Sequence, residues 1–443
     1  MMNGSSFKKH RNKIIDILQN NDLSESLIFM PSPSEPKEEF TESELPFLQE
    51  GIFFWLTGWD KPSSSLIIDV KNRHSILITP HYDEEYEIWY GKAPSNDEII
   101  EQTGVDEVLQ GADTNTVLNN LEKSLHPKHR LLAFPHQPSQ TNDDIGTLVC
   151  AVSIGRREKF DHEIISLRKA SVTTSNALVE VMKNCKPEIP ESNLEALFLF
   201  HGTLLGGRGL SFPITVASGK HAAHLHYSEN KDIAHDGDLV LIDCGLYVDH
   251  YAGDVTRTFP VNGKFTEIQK KVYNAMLRAQ NSLIECVKPG VTLYELENNL
   301  FVHIFEVLRM LKIVKIDEEY NRKVAELFCP HSLSHHIGVS VHDWSFYNGQ
   351  SLLNVNILDA FTLLPNMVIS IEPGIYFNAR LLQRHVNNPE YAIVDFARAL
   401  ELADTVCAIR IEDDIRVTPD GREVLSTCPK TVEEIEAIMA QNK

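Results

Sequence analysis

The hydrophobic pattern of the first 155 or so residues predicts a small mixed α/β domain. Apolar and basic positions recur at helical spacing over 7–19, which predicts an opening helix. Short apolar runs with strand character follow at 27–30, 65–70, 75–79, 131–134 and 148–152. This part of the chain carries no coherent cluster of catalytic side chains.

The pattern changes after a charged break at 156–161. Helical spacing predicts helices over 162–184, 192–205, 265–287, 293–311 and 321–328. Strand character occupies 238–259, 367–374 and 405–418. Helices followed by strands occur twice, which indicates a duplicated half, although no strict sequence repeat is visible.

The composition indicates a large acidic protein with more than one domain. The chain has 443 residues, of which 42% are hydrophobic, and this exceeds an ordinary single domain. Its 41 basic and 62 acidic residues give a net charge of -21, which disfavours nucleic acid and anionic membranes as partners. No apolar run approaches the roughly 18 residues of a membrane span, and the N-terminus lacks the apolar core of a signal peptide. Seven scattered cysteines contain no CxxC pair, so we expect a soluble, cytoplasmic protein.

Two aspartates are the first candidate functional residues. Asp243 ends the apolar run 239–242, and Asp254 lies just before the extended run 255–259. If the two runs pair as a hairpin, both carboxylates can point into one pocket. Buried acids that face each other repel and need a proton or a cation between them. For either aspartate alone, a solvated turn acid or an Asx cap is the alternative.

Three further stretches offer candidate ligands. Histidines crowd into 331–342, at positions 331, 335, 336 and 342. Glu372 ends the apolar run 367–371, in the same way that Asp243 ends its own run. Arg410 and Glu412 share one face of the apolar stretch 408–418.

These stretches differ in what they predict alone and together. Asp413 and Asp414, beside Glu412, are expected to be solvent-facing or turn acids. Each stretch alone is more often structural. Together they supply two Asp, two Glu and at least one His, a carboxylate-rich set that suits divalent manganese, cobalt or zinc.

The motifs jointly resemble those of the pita-bread metallopeptidases, in the aminopeptidase P and prolidase branch. They are Leu-Ile-Asp-Cys-Gly and Tyr-Ala-Gly-Asp-Val-Thr-Arg-Thr-Phe within 241–259, His-Ser-Leu-Ser-His at 331–335, Ile-Glu-Pro-Gly-Ile-Tyr at 371–376 and Arg-Ile-Glu-Asp-Asp at 410–414. The resemblance implies an α+β fold. A pita-bread catalytic domain at 158–443, a pseudo-duplicated antiparallel sheet with helices, would follow a smaller mixed α/β domain of the creatinase/prolidase N-terminal type at 1–157.

The resemblance also implies a two-metal site and its residues. The metal ligands would be Asp243, Asp254, His335, Glu372 and Glu412, which would hold two divalent ions, with manganese preferred to cobalt or zinc. Asp254 and Glu412 would bridge the ions, and Glu372 would also shuttle protons. The other residues implied for catalysis are His226, His331, His342 and Arg410.

The implied reaction is that of an Xaa-Pro aminopeptidase, which removes an N-terminal residue that precedes proline. Phe212 stands where the family often has a tyrosine, and no Lys or Arg occurs between Lys323 and Arg380, where animal prolidases hold a dipeptide carboxylate. This absence favours longer peptides, although the forty-residue spacing from Glu372 to Glu412 resembles prolidases.

Two alternatives therefore stay open. One is a prolidase that acts on Xaa-Pro dipeptides. The other is a metal-free pita-bread module that binds peptides or proteins, although such relatives lose ligands that this chain keeps. The expected partners are a peptide with proline second and, because relatives are often dimers, another copy of the chain.

Overall fold

The computed structural model describes residues 2–41, 43–124, 130–133, 142–343, 353 and 361–441. By packing, the described residues divide into two units. The first extends to Arg157 and the second begins at Glu158, and Leu353 groups with the first. The domain limits 1–157 and 158–443 remain a prediction.

The first unit has the mixed α/β character that its hydrophobic pattern predicts. Its helices are α1 (Gly4–Gln19), α2 (Gly51–Thr57), α3 (Glu84–Tyr90), α4 (Asn96–Thr103), α5 (Thr114–Ser124) and α6 (Asn142–Arg157). Its strands are β1 (Ser26–Pro31), β2 (Ser65–Asp69), β3 (His74–Thr79), β4 (Glu107–Gln110) and β5 (Arg130–Ala133). Within the described residues they form one sheet in the order β4-β3-β2-β1-β5, with parallel outer pairs and antiparallel inner pairs.

The predicted strand around Leu148 is wrong, because this segment lies in helix α6. Leu148, Ala151, Val152 and Gly155 are buried at helical spacing, a pattern that a five-residue apolar run cannot reveal. Gly155 permits a close approach to α1, since a Cβ at this position would lie 2.4 Å from Ile14 Cδ1. The strand predicted at 131–134 is confirmed as far as Ala133, and residue 134 lies outside the described residues.

The second unit contains the remaining elements. Its helices are α7 (Asp161–Asn184), α8 (Glu191–Leu204), α9 (Glu267–Cys286), α10 (Leu293–Met310), α11 (Arg322–Phe328), α12 (Ala379–His385), α13 (Phe396–Thr405) and α14 (Val432–Met439). Its strands are β6 (Ile189–Pro190), β7 (Thr215–Ser218), β8 (Ile233–Ala234), β9 (Leu239–Cys244), β10 (Tyr247–Val248), β11 (Tyr251–Ala252), β12 (Val255–Pro260), β13 (Val368–Ile371), β14 (Gly374–Tyr376), β15 (Ala408–Arg410), β16 (Asp413–Thr418) and β17 (Gly421–Val424). Short 3-10 turns occupy Gly219–Ala223 and Pro389–Tyr391.

The duplicated half predicted from the order of elements is visible in the sheets. Among the described strands, β9 and β12 form an antiparallel pair, and β7 pairs with the other edge of β9. In the same plan, β16 and β17 form a hairpin, and β13 pairs with the other edge of β16. β14 pairs separately with β15. The pseudo-duplicated antiparallel architecture is therefore confirmed.

The helices of the second unit follow from caps and apolar faces. Capping boxes start α9 at Thr266 and α10 at Thr292, where each threonine accepts a hydrogen bond from the backbone three residues later. The buried faces of these helices join one extensive apolar cluster with β9, β12, β13 and β16. Among the helices of the described residues, we find none with the length and apolar character that a membrane crossing requires.

Candidate metal centre

The pair β9–β12 positions the two aspartates as the hairpin hypothesis predicted. Asp243 lies opposite Thr256 in the ladder, and Asp254 immediately precedes β12. Both side chains line a cavity of about 610 Å³, and Asp254 is only 4% exposed. The strands β9 and β12, which adjoin the two acids, are buried in the sheet and fix the backbone from which both carboxylates project.

The same cavity contains every residue proposed for the site from the sequence. These residues are His226, Asp243, Asp254, His331, His335, His342, Glu372, Arg410 and Glu412. They come from the loop between the 3-10 turn Gly219–Ala223 and β8, from β9, the approach to β12, the histidine-rich loop, the end of β13, and the junction of β15 and β16. The lining also includes the apolar side chains of Phe212, Pro213, Leu225 and Val341 and the hydroxyl side chains of Thr215, Ser228, Ser332 and Ser334.

Three of these residues offer atoms close enough to share one ion. Ligand atoms of Asp254, His335 and Glu412 all lie within 4.8 Å of one another. His335 Nε2 is 3.3 Å from Asp254 Oδ2 and 3.5 Å from Glu372 Oε1. A third acid, Glu372, therefore lies beside the same imidazole, and the geometry is that of a convergent donor set.

The electrostatics of this set call for bound protons or cations. Burial, then the charges of Glu412 and Asp243, raise the pKa of Asp254 well above its ordinary value. Burial and Glu412 do the same to Glu372, and burial and Asp243 raise the pKa of Glu412 to about 7. Asp243 Oδ1 and Asp254 Oδ1 are buried, and neither has a hydrogen-bond partner in the described part of the chain. Oxygen donors with one imidazole fit divalent metal ions.

Arg410 ties the carboxylates to the sheet. Its buried guanidinium donates to Asp243 Oδ2 at 2.6 Å, to the Tyr376 hydroxyl at 2.7 Å and to Thr256 Oγ1 at 3.2 Å. Thr256 in turn donates its hydroxyl to Glu412 Oε2 at 2.5 Å. One arginine thus orients two acids, one directly and one through a threonine.

Tyr376, which sequence reasoning did not single out, helps to fix the tautomer of His331. His331 Nδ1 lies 2.8 Å from the Ser332 carbonyl, which can only accept, so Nδ1 carries the proton. Nε2 therefore accepts from the Tyr376 hydroxyl at 3.0 Å. Burial, then the Arg410 charge, lower the pKa of His331 to about 4, which keeps the ring neutral. Tyr376 stands in the motif at 371–376, but its apolar strand neighbours gave no sign of this contact.

The expectation that Asp413 and Asp414 face solvent is wrong, because both are 1% exposed. Asp413 accepts from Arg257 at 2.7 Å and from Lys430 at 2.6 Å. Asp414 accepts from the backbone N–H of Asp254 at 3.3 Å, directly behind the metal centre. Their partners are distant in sequence, so a local pattern could not indicate the burial.

We expect the metal-free protein to lose stability as the pH rises from about 6.5 to 8. At pH 6.5 about half of the His331 rings are protonated in the unfolded chain and almost none in the native state, so this ring opposes the trend by only about 0.4 kcal/mol. The folded pKa of Glu412, about 7, exceeds its ordinary value of 4.5, so the native state holds more protons here than the unfolded chain. The free energy of unfolding then falls as these protons leave.

Thermal unfolding of chelator-treated protein at about pH 6.5 and at about pH 8 tests this expectation. The Tm should be lower at the higher pH, and added Mn²⁺ should remove the difference. The control is Glu412→Gln, which lacks the titrating group and should show a smaller decline. A metal-free Tm that rises over this range would contradict the electrostatic account.

Comparison with known proteins gives the family. The family described as metallopeptidase family M24 matches residues 166–419, more than half of the chain. The chain belongs to this family. A second match, to the aminopeptidase P N-terminal domain, covers residues 7–129 of this M24 metallopeptidase.

Relatives of this M24 metallopeptidase share nearly its whole length. A protein of Sordaria macrospora named "Probable Xaa-Pro aminopeptidase" is 32% identical over 98% of this chain and 96% of its own. One of Sclerotinia sclerotiorum, also named a probable Xaa-Pro aminopeptidase, is 32% identical over 98% of this chain and 81% of its own. The low-pH structure of Escherichia coli aminopeptidase P has a TM-score of 0.78 at 28% identity, covering 100% of this chain and 99% of that one. The protein is thus a metal-dependent exopeptidase of the pita-bread aminopeptidase P type.

Proposed function

We propose that this enzyme is a two-metal Xaa-Pro aminopeptidase, which releases the N-terminal residue from peptides whose second residue is proline. The observation that carries the proposal is the convergence of Asp254, His335 and Glu412 within 4.8 Å, in a cavity that Asp243 and Glu372 also line. The names of the full-length relatives support the substrate class.

The five ligands divide between two ions in our proposal. Asp254 and Glu412 would be ligands of both ions, Asp243 would serve one of them, and His335 and Glu372 would serve the other. Manganese is the proposed ion, with cobalt and zinc as alternatives, since carboxylate-rich sites accept all three. Bound ions of this kind supply a hydroxide nucleophile at neutral pH and polarise the scissile carbonyl.

The side chains of the cavity provide the proton transfers and the polar contacts. In the metal-free protein, burial and Glu412 raise the pKa of Glu372. In the metal-loaded enzyme we propose that its carboxylate takes a proton from the attacking water and passes it to the departing prolyl nitrogen. Both ring nitrogens of His331 already have hydrogen-bond partners, the Ser332 carbonyl and the Tyr376 hydroxyl. His226 and His342 are therefore the better placed donors to a developing oxyanion. Burial, then His335, lower the pKa of His342, which favours the neutral donor.

The charges of the cavity favour peptides longer than dipeptides. A substrate ammonium would lie close to the acids, which explains removal of an N-terminal residue. Among the described residues that line the cavity, Arg410 is the only Lys or Arg, and its guanidinium is engaged by Asp243, Tyr376 and Thr256. A dipeptide carboxylate would thus lack a cationic partner here, which makes the prolidase reading the second candidate.

A peptide panel tests the proposal. Chelator-stripped protein reloaded with Mn²⁺ is given Xaa-Pro-Yaa, Xaa-Pro and Xaa-Ala-Yaa peptides with the same first residue, and the products are identified by mass spectrometry. We expect free Xaa and Pro-Yaa from the first peptide and much slower turnover of the other two. Preference for the dipeptide would instead identify a prolidase.

The panel also addresses the metal-free binding module. No cleavage with manganese, cobalt or zinc, together with less than about one equivalent of bound metal, would favour that module. We further propose a homodimer, which light scattering after size-exclusion chromatography can measure, and a cytoplasmic location. None of the seven cysteines forms a disulfide, in keeping with a reducing compartment.

A further inference from the structure

A buried carboxylate outside the metal centre, Glu191, organises the loop that carries His226. This loop comprises residues 224–232, between the 3-10 turn Gly219–Ala223 and β8. Its side chain is 0% exposed, at the first position of α8. Ser218 donates to it from its backbone N–H at 2.8 Å and from its hydroxyl at 2.7 Å. The Tyr227 hydroxyl donates at 2.7 Å and the Asp232 N–H at 3.0 Å. One carboxylate therefore joins α8 to β7 and to two points of the loop.

The charge state of Glu191 suits this role. Burial opposes its ionisation, but the hydrogen bonds from Ser218, Tyr227 and Asp232 outweigh burial and hold the pKa below its ordinary value. His221 Nδ1 lies 3.4 Å from the same carboxylate, and the His221 ring stacks on Tyr227 with centroids 4.4 Å apart. The tyrosine is thus held at its hydroxyl and on one face of its ring.

The loop is anchored at both ends by other contacts. Asn378 Nδ2 donates to the Ala223 carbonyl at 3.0 Å. Asn230, which is buried, accepts from the Val216 N–H at 2.9 Å and donates to the Ile214 carbonyl at 3.0 Å. Asn230 also donates to Glu195 of α8 at 2.9 Å. Between the two anchors, the Tyr227 hydroxyl is the described side-chain group that bonds to α8.

The two faces of the loop have different environments. Leu225, His226 and Ser228 line the metal-centre cavity, whereas Tyr227 reaches Glu191. Because Tyr227 is the next residue after His226, fixing the tyrosine fixes the backbone from which the imidazole projects. Small displacements of groups around a reacting centre are costly, about 100-fold in rate for 1 Å.

We propose that Glu191 and Tyr227 are positioning residues that hold His226 toward the substrate in this cavity. The proposal rests on the proposed function, in which His226 contacts the reacting peptide. Neither side chain is among the residues that line the cavity. We expect their contribution to pass through His226, the residue next to Tyr227 that lines the cavity, and this dependence can be measured.

A double-mutant cycle tests the dependence. Tyr227→Phe removes one hydroxyl and is expected to lower kcat on an Xaa-Pro-Yaa peptide about 10-fold, with metal content unchanged. In a His226→Ala background the same change should have no further effect, because the positioned group is gone. Equal losses in both backgrounds, or no loss in the parent, would overturn the proposal.

The matched control is Tyr273→Phe, which removes a buried hydroxyl that donates to the Lys430 carbonyl at 3.0 Å, outside this loop. It should leave kcat unchanged. A loss of kcat equal to that of Tyr227→Phe would show a general effect of removing a buried hydroxyl and would count against positioning.

A second readout does not depend on activity. In protein labelled with carbon-13 histidine, the His226 ring signal is assigned by its disappearance in His226→Ala. This signal should shift or broaden in Tyr227→Phe and stay in place in Tyr273→Phe. An unmoved signal in Tyr227→Phe would overturn the positioning role. A moved signal in a protein that cleaves no peptide would support the positioning of His226 and overturn the proposed function instead.

Discussion

Asp254→Asn is expected to abolish the binding of both metal ions, whereas Asp243→Asn should first weaken the binding of one. Asp254 belongs to the cluster of ligand atoms within 4.8 Å, together with His335 and Glu412, and Asp243 does not. Asp243 contributes from β9 and is held by Arg410 at 2.6 Å. We therefore expect a bridging ligand at 254 and a terminal ligand at 243.

The activities of these two variants should differ in the same order. Outer-shell changes at metal sites cost about 10–100-fold, so loss of a bridging ligand should lower kcat/KM by more than about 100-fold. The Asp254→Asn protein should still fold, because burial and the nearby acids already raise the pKa of this carboxyl and favour its neutral form. Loss of metal would then reflect the missing ligand and not a damaged fold.

Elemental analysis and calorimetric titration with Mn²⁺ measure both variants. Asp420→Asn is the control, since Asp420 is exposed in the turn between β16 and β17. It should bind metal as the parent does. Equal metal content in Asp243→Asn and Asp254→Asn would show that the assigned roles are wrong.

Asp413→Asn is expected to destabilise the metal-free protein by about 3–5 kcal/mol, the cost of breaking a buried ion pair. The side chains of Asp413 and Arg257 are each 1% exposed and lie 2.7 Å apart. Lys430 and Gln280 also donate to Asp413, at 2.6 and 3.0 Å. Asparagine would remove the negative charge and leave the Arg257 guanidinium buried without its counter-ion.

Urea unfolding of chelator-treated protein measures this effect through the midpoint and slope of the transition. The exposed Asp420→Asn change should stay within about 0.5 kcal/mol of the parent. A loss below about 1 kcal/mol for Asp413→Asn would mean that solvent screens this pair more than its burial indicates.

The place of Asp243 and Glu372 in the cavity could be predicted from the sequence because both acids follow a local rule, whereas the complete ligand set was implied by the resemblance and stays a prediction. Asp243 and Glu372 each follow an apolar run that becomes a buried strand, and the alternation of side chains fixes which way such an acid points. The pairing of β9 with β12 then brings Asp254 to the same cavity. Long helices such as α9 and α10 could also be predicted, since a helical period repeated over many residues leaves little ambiguity.

Residues whose roles depend on distant partners could not be predicted in this way. Asp413 follows Glu412 at the start of β16, and the groups that donate hydrogen bonds to it come from β12, α9 and the segment before α14. Glu191 and Tyr376 likewise gain their contacts only in the folded chain. The predicted strand at Leu148 failed for a different reason. A five-residue apolar run suits a buried helix as well as a strand, and the packing of Gly155 against α1 favours the helix.

The central claim, a two-metal enzyme that cleaves before proline, is tested most directly by one titration. Chelator-stripped protein is titrated with Mn²⁺ while the release of free Xaa from an Xaa-Pro-Yaa peptide is followed. We predict no turnover without metal and a rate that reaches its maximum at about two equivalents per chain. Full turnover by the stripped protein, or none at saturating metal, would contradict the account.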